Sequence, residues 1–140
     1  MSEDLAHEGL VRHVAEEYDG RVVEIGVGER TTVAERLARE SHLDVTATDV
    51  RELDVGGPDA RRPTFVRDDV SDPDVDVYSG AALLYAVRAP PELHRPIAEL
   101  AAAVDADAIV VPCGGDPVTV PHRLTNVDGT PLYLLDTPQH

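Results

Sequence analysis

The chain has 140 residues and a formal charge of −15, with 27 Asp and Glu against 12 Arg and no Lys. That length suits one domain with a core of its own, and 42 % hydrophobic residues exclude a disordered tail. A single cysteine, Cys113, excludes an internal disulfide and a cysteine-based zinc site, and the longest uncharged run, residues 77–87, falls short of the ~20 residues of a membrane-crossing helix. In chain order, Leu10, Val14 and Tyr18, with Val11 and Ala15 beside them, repeat at helical spacing and predict an amphipathic helix over about 4–18. Asp19-Gly20 breaks it. Val22-Val23-Glu24-Ile25 predicts a short strand stopped by Gly26. Thr32 and Glu35 are spaced as a capping box, and Val33, Ala34, Leu37 and Ala38 line up behind it as the face of a second helix.

Residues 43–49 alternate Val45 and Ala47 with Thr46 and Thr48 and predict a second strand. Residues 50–62 contain Gly56-Gly57-Pro58 without apolar periodicity and are expected to be mostly loop. Thr64-Phe65-Val66 is a brief third strand, and the apolar run 75–84 is expected to be a buried fourth. From Pro90-Pro91 the positions Leu93, Ile97, Leu100, Ala101 and Val104 mark a helix, with Pro96 about one turn inside, where a delay or kink is expected. Ala108-Ile109-Val110-Val111 is the fifth strand. Residues 118–127 and 132–135 flank the turn pair Asp128-Gly129 and predict a closing hairpin. Strand and helix alternate as in βαβ units, so the expected architecture is α/β: a three-layer sandwich with a mostly parallel sheet between helices. One domain is expected over 1–140: an N-terminal helix about 4–18, a core about 20–112, and a C-terminal antiparallel hairpin about 118–136.

Ordinary soluble domains carry net charges of magnitude roughly 2 to 8, so this chain repels itself strongly in dilute buffer. Molar salt relieves that repulsion by shortening the Debye length to ~3 Å. A protein adapted to a cytoplasm of molar salt is therefore expected, one whose circular dichroism signal is lost as potassium chloride is dialysed away; an unchanged signal in dilute buffer would remove that reading. The acidic opening Met1-Ser2-Glu3-Asp4 does not read as a secretory signal, so a soluble, cytoplasmic protein without a membrane partner is expected. Nucleic acid is disfavoured as a partner, because phosphate contacts need clustered cations.

The informative stretch is Glu24-Ile25-Gly26-Val27-Gly28. A strand ends, two glycines follow at spacing two, and a capped helix begins, which brings main-chain N–H groups to the mouth of the sheet with no Cβ in the way. Asp49 stands 23 residues beyond Gly26, at the end of the second predicted strand, where a Rossmann-like fold places the acid that accepts ribose hydroxyls. The dinucleotide fingerprint asks for a third glycine where Thr31 stands, and Glu29 and Glu24 put two carboxylates where a pyrophosphate would lie. A cationic sulfonium tolerates those acids better, so the charges favour S-adenosylmethionine over NAD as cofactor.

The same residues resemble the class I S-adenosylmethionine-dependent methyltransferases. Their first motif matches Glu24-Ile25-Gly26-Val27-Gly28, with Arg30 in place of a frequent third glycine, and their second is similar to Thr48-Asp49. The resemblance implies that Glu24, Gly26, Gly28 and Asp49 hold the cofactor and that Asp68 or Asp69, in Val66-Arg67-Asp68-Asp69-Val70, lies toward the adenine. The whole chain also resembles a small uncharacterised archaeal family with this Rossmann-like core, through Val23 to Gly28, Ala47-Thr48-Asp49-Val50 and Tyr85 to Leu93.

The acidic or amide Pro-Pro-aromatic signature of amino-methylating enzymes is missing after the fourth strand, where Tyr85 and Arg88 are the polar-tipped candidates for the substrate side. The six histidines show no metal-ligand spacing, Ser79-Gly80 is no nucleophile elbow, and Cys113 is expected to be an inert thiol, so neither a metal nor a catalytic dyad is implied. Two classes of function stay open. One is an S-adenosylmethionine-binding, methyltransferase-like protein with an unnamed acceptor. The other is a non-catalytic Rossmann-like module that binds a nucleotide or a protein partner.

Overall fold

The structure, a computed structural model, describes residues 7–26, 32–51, 63–112 and 117–136. In chain order these form α1 (Glu8–Glu17), β1 (Arg21–Ile25), α2 (Thr32–Glu40), β2 (Asp44–Asp49), β3 (Thr64–Arg67), α3 (Val75–Tyr78), β4 (Ala81–Ala89), α4 (Pro91–Val104), β5 (Asp107–Pro112), β6 (His122–Val127) and β7 (Thr130–Leu135). The strands make one sheet in the order β3-β2-β1-β4-β5-β7-β6. β1 to β5 pair in parallel, and β7 runs antiparallel to both of its neighbours. The expected α/β Rossmann-like sandwich with an antiparallel C-terminal hairpin is therefore present.

Helices cover both faces. Leu10, Val11 and Val14 of α1 and Val33, Ala34 and Leu37 of α2 pack on Val22, Val45, Leu83, Tyr85 and Ile109. On the opposite face Ile97, Ala98, Leu100 and Ala101 of α4 pack with Tyr78 on Val23, Ile25, Leu84 and Val110. Each of the valines, leucines and isoleucines among them stabilises the fold by roughly 1.5–3 kcal/mol through burial. Central strands β1 and β4 are buried on both faces, which is why their sequences read as continuous apolar runs rather than alternations.

Two expectations need correction. The run 75–84 is not one strand: Val75–Tyr78 forms the short helix α3, and β4 starts only at Ala81. Asp74 caps that helix by accepting the Asp76 N–H, and Gly80, at φ 81°, turns the chain into the strand. Arg21, at the start of β1, donates to the Ser79 and Val77 carbonyls and to Thr46 Oγ1, so a guanidinium satisfies the open end of α3. Pro96 does not delay its helix, since α4 begins at Pro91 and runs through Pro96 to Val104. The hairpin closes on Asp128 and Gly129, both at positive φ, the geometry of a two-residue type I′ turn.

Candidate functional site

Open parallel sheets bind ligands beyond the carboxyl ends of their strands, at the point where the strand order reverses. Here that point lies between β1 and β4. At the end of β1, Glu24 is 2 % exposed and Gly26 turns the chain at φ 68°. Among the described residues nothing lies within 4 Å of where a Cβ on Gly26 would stand. Glu24 shares the α1–α2 face with Val22 and is level with Tyr85 on β4. Burial pushes the Glu24 carboxyl up to about 8, and the nearby Tyr85 hydroxyl opposes that shift. The two groups lie close without forming a well-directed hydrogen bond: Glu24 Oε1 and the Tyr85 hydroxyl are both buried without a partner. Burial and the neighbouring carboxylate raise Tyr85 well above the ordinary phenol range.

On β2, Asp49 stands one residue beyond the Ile25–Thr48 pair, hence level with Gly26. It is 7 % exposed, and its Oδ1 accepts the Arg51 N–H at 2.9 Å, which holds the carboxylate at the strand end. Its carbonyl accepts the Asp68 N–H at 2.9 Å and so ties the ends of β2 and β3 together. Asp68 receives the Asp74 N–H on Oδ1 at 3.0 Å and the Tyr78 hydroxyl on Oδ2 at 2.6 Å. Asp69 is exposed and accepts the Ser71 N–H and hydroxyl at 2.9 and 2.5 Å, which lowers its pKa.

Tyr78 carries no mark in the sequence, and Thr48 stands out there only as the neighbour of Asp49 in the second motif. The Tyr78 oxygen is 3.4 Å from Thr48 Oγ1, and the Thr48 hydroxyl donates to the Glu24 carbonyl at 3.4 Å, a chain of polar contacts from Asp68 to β1. A tyrosine in an apolar run reads as core, and only the helical turn at 75–78 aims its hydroxyl at Asp68.

The two substrate-side candidates part company. Tyr85 is fully buried among the residues of the α1–α2 face and has no exposed tip. Arg88 is exposed at the carboxyl end of β4, at φ 58°, where one extra residue bulges between Val87 and Ala89. Next to it, fully buried His94 donates from Nε2 to the Ala89 carbonyl at 3.0 Å, while its Nδ1 has no partner. Gly28 and Cys113 lie outside the described residues. Among the described residues no three His, Cys, Asp or Glu side chains converge as a metal centre needs, and no helix is long and apolar enough to cross a membrane.

Comparison with solved structures places the fold beside methyltransferases. An RNA methyltransferase from Salinibacter ruber in complex with S-adenosyl-L-homocysteine has a TM-score of 0.64 at 14 % identity, over 100 % of this chain and 94 % of that one. The antibiotic-resistance methyltransferase Kmr has a TM-score of 0.58 at 13 % identity, over 89 % and 90 % of the two chains. At such identities the likeness is one of fold. Sequence relatives are nearer: a protein of Archaeoglobus fulgidus is 42 % identical over 126 residues, covering 90 % of this chain and 92 % of its own. One from Halobacterium salinarum is 48 % identical over 101 residues, covering 72 % and 74 %. Both relatives bear the name UPF0146, and the model of the uncharacterised protein family UPF0146 matches residues 8–137, so the chain belongs to that family.

Proposed function

We propose that the chain binds S-adenosylmethionine at the carboxyl ends of β1 and β2 and acts as a methyltransferase-like protein in a salt-rich cytoplasm. The observation that carries this reading is the arrangement at the carboxyl ends of β1 and β2: Asp49 stands level with Gly26, Glu24 two residues earlier on β1 has its Oε1 buried without a partner, and no atom of the described residues lies within 4 Å of where a Cβ on Gly26 would stand. An unsatisfied buried acceptor and a main chain without a Cβ fit an adenosyl cofactor with a cationic amino-acid tail. Asp49 takes the ribose hydroxyls in this reading, Glu24 faces the positive end, Gly26 and Gly28 let the ligand approach the backbone, and Asp69 or Asp68 lies toward the adenine. When bound, the sulfonium supplies an activated methyl group. The protein's own contribution is then alignment and exclusion of water, for which no acid or base is required.

Calorimetric titration of S-adenosylmethionine and S-adenosylhomocysteine in molar potassium chloride, with NAD as comparator, tests this. Saturable binding of the adenosyl pair is expected, weakened roughly 10- to 100-fold in Asp49→Ala through the loss of hydrogen bonds to a charged group. Wild-type protein that is folded yet binds none of the three would select the second reading, a non-catalytic module for a nucleotide or protein partner. What favours that reading is Asp68, both of whose oxygens already serve the 68–78 segment.

A further inference from the structure

We infer that Tyr85 is a positioning residue for the ligand site: its hydroxyl donates to the Glu24 carboxylate and fixes it toward the cationic end of the bound ligand. The inference rests on the cofactor reading above and goes beyond it, because Tyr85 acts only through Glu24. In the sheet register Glu24 stands opposite Tyr85 on β4 and Ala47 on β2. Ala47 offers only a methyl group. The helices over that face contribute Leu10, Val14, Val33 and Leu37, whose side chains cannot hydrogen-bond. No titratable side chain of α1 or α2 is buried. What bears on the Glu24 carboxyl is therefore its own burial and the Tyr85 hydroxyl.

Two fully buried polar groups thus meet on the central strands, and neither Glu24 Oε1 nor the Tyr85 oxygen has a partner. Native folds seldom leave such groups unmet. Their chemistry gives a reason. A neutral carboxyl is a weak acceptor for a phenol, whereas a carboxylate makes the same contact charge-assisted, shorter and roughly twice as strong. Burial keeps Glu24 protonated in the empty protein at neutral pH and keeps Tyr85 in its phenol form. An incoming cation changes that state: Glu24 releases its proton to solvent, Tyr85 keeps its own, and the hydrogen bond between them closes. The contact is idle in the empty protein and strong in the complex. A ring placed there for packing alone would need no hydroxyl.

Tyr85→Phe in molar potassium chloride tests this. With carbon-13 in the glutamate carboxyl groups, nuclear magnetic resonance follows the titration of Glu24 in ligand-free protein. Its midpoint is expected to move up by about one pH unit or more in the variant, through loss of a hydrogen bond to the charged form. S-adenosylhomocysteine should bind the variant about tenfold or more weakly at neutral pH. The melting temperature near pH 6 should stay level or rise, because the variant sheds a buried hydroxyl that had no partner. Weaker binding by an equally stable fold, with a displaced Glu24 midpoint, is what a packing role would not produce. An unmoved midpoint or an unchanged affinity overturns the inference. Should the variant melt early, the parent decides: its Tyr85 Cζ resonance is expected to shift at the Glu24 midpoint, and a resonance indifferent to that titration refutes the contact. A parent that binds no S-adenosylhomocysteine sinks the cofactor reading and this inference together, whereas a binding parent with an unmoved midpoint in the variant sinks the inference alone.

Discussion

Gly9→Ala is expected to lower the stability of the fold by about 3 kcal/mol or more, although alanine is the better helix former by ~1 kcal/mol. The reason is the close approach of α1 to the hairpin. A Cβ on Gly9 would stand 1.9 Å from the Val127 carbonyl oxygen and 2.8 Å from Thr130 Cβ and Oγ1. Val127 and Thr130 flank the Asp128-Gly129 turn, whose backbone pairing leaves that carbonyl no easy escape. The helix is held elsewhere as well: Arg12 reaches Asp128 at 3.0 Å, and the Tyr18 hydroxyl donates to Asp107 at 2.8 Å. Relief therefore requires α1 to lift from β6 and β7 as a unit, which exposes Leu10 and Val14. Denaturant melts in molar potassium chloride measure the loss. A variant as stable as the parent, or more so, would show that α1 does not lie against the turn.

The second large effect concerns Glu24 and the direction in which pH acts. Its carboxyl titrates near 8 in the fold against 4.5 for the ordinary side chain, because burial disfavours the charged form. Between those values the native protein keeps a proton that the unfolded chain has released. Stability from this group therefore falls as pH rises from about 4.5 to about 8, by roughly 5 kcal/mol as an upper bound, and is level on either side. Glu24→Gln removes the titrating group and keeps its shape. The variant should match the parent near pH 5 and exceed it by several kcal/mol near pH 8, on the order of that bound. Parallel stability profiles for the two proteins over that range would show that Glu24 is ionised in the native state. On the proposed function, a cationic ligand seated beside Glu24 also expels its proton, which buffers of different ionisation enthalpy reveal in the binding heat.

The layered architecture was legible because strands and helices leave periodic marks: Leu93, Ile97, Leu100 and Val104 declare α4, and Asp128-Gly129 declares the hairpin. Helix α3 left none, since four residues are barely one turn and its stability comes from the Asp74 cap, the Arg21 guanidinium and the Tyr78–Asp68 bond, all made at a distance along the chain or by side chains. Glu24 and Asp49 were legible as a pair from their spacing, whereas the enclosure of Glu24 against Tyr85 was not, because burial depends on which strand pairs with which. The positive φ of Arg88 was equally hidden, since arginine is not a residue that signals a bulge. Nor does the sequence of a hairpin say that its second strand inserts beside β5 and puts the first at the rim.

That insertion governs the order of assembly. β7 is the last described strand in the chain, yet it lies inside the sheet, and β6 reaches the sheet only through it. During synthesis β6 emerges before the strand it pairs with, and its N–H and C=O groups wait in water until β7 arrives. Its residues suit the wait: His122, Arg123, Thr125 and Asn126 are polar, and Leu124 alone among its large aliphatics is openly exposed at 60 %. Polar side chains on an unpaired strand discourage pairing with other nascent chains. Docking of β7 against Ile109 and Val110 then joins the hairpin to the parallel core and supplies the surface on which α1 closes. The first described helix thus completes its packing only once the hairpin is in place, and such contacts between segments far apart in sequence slow folding.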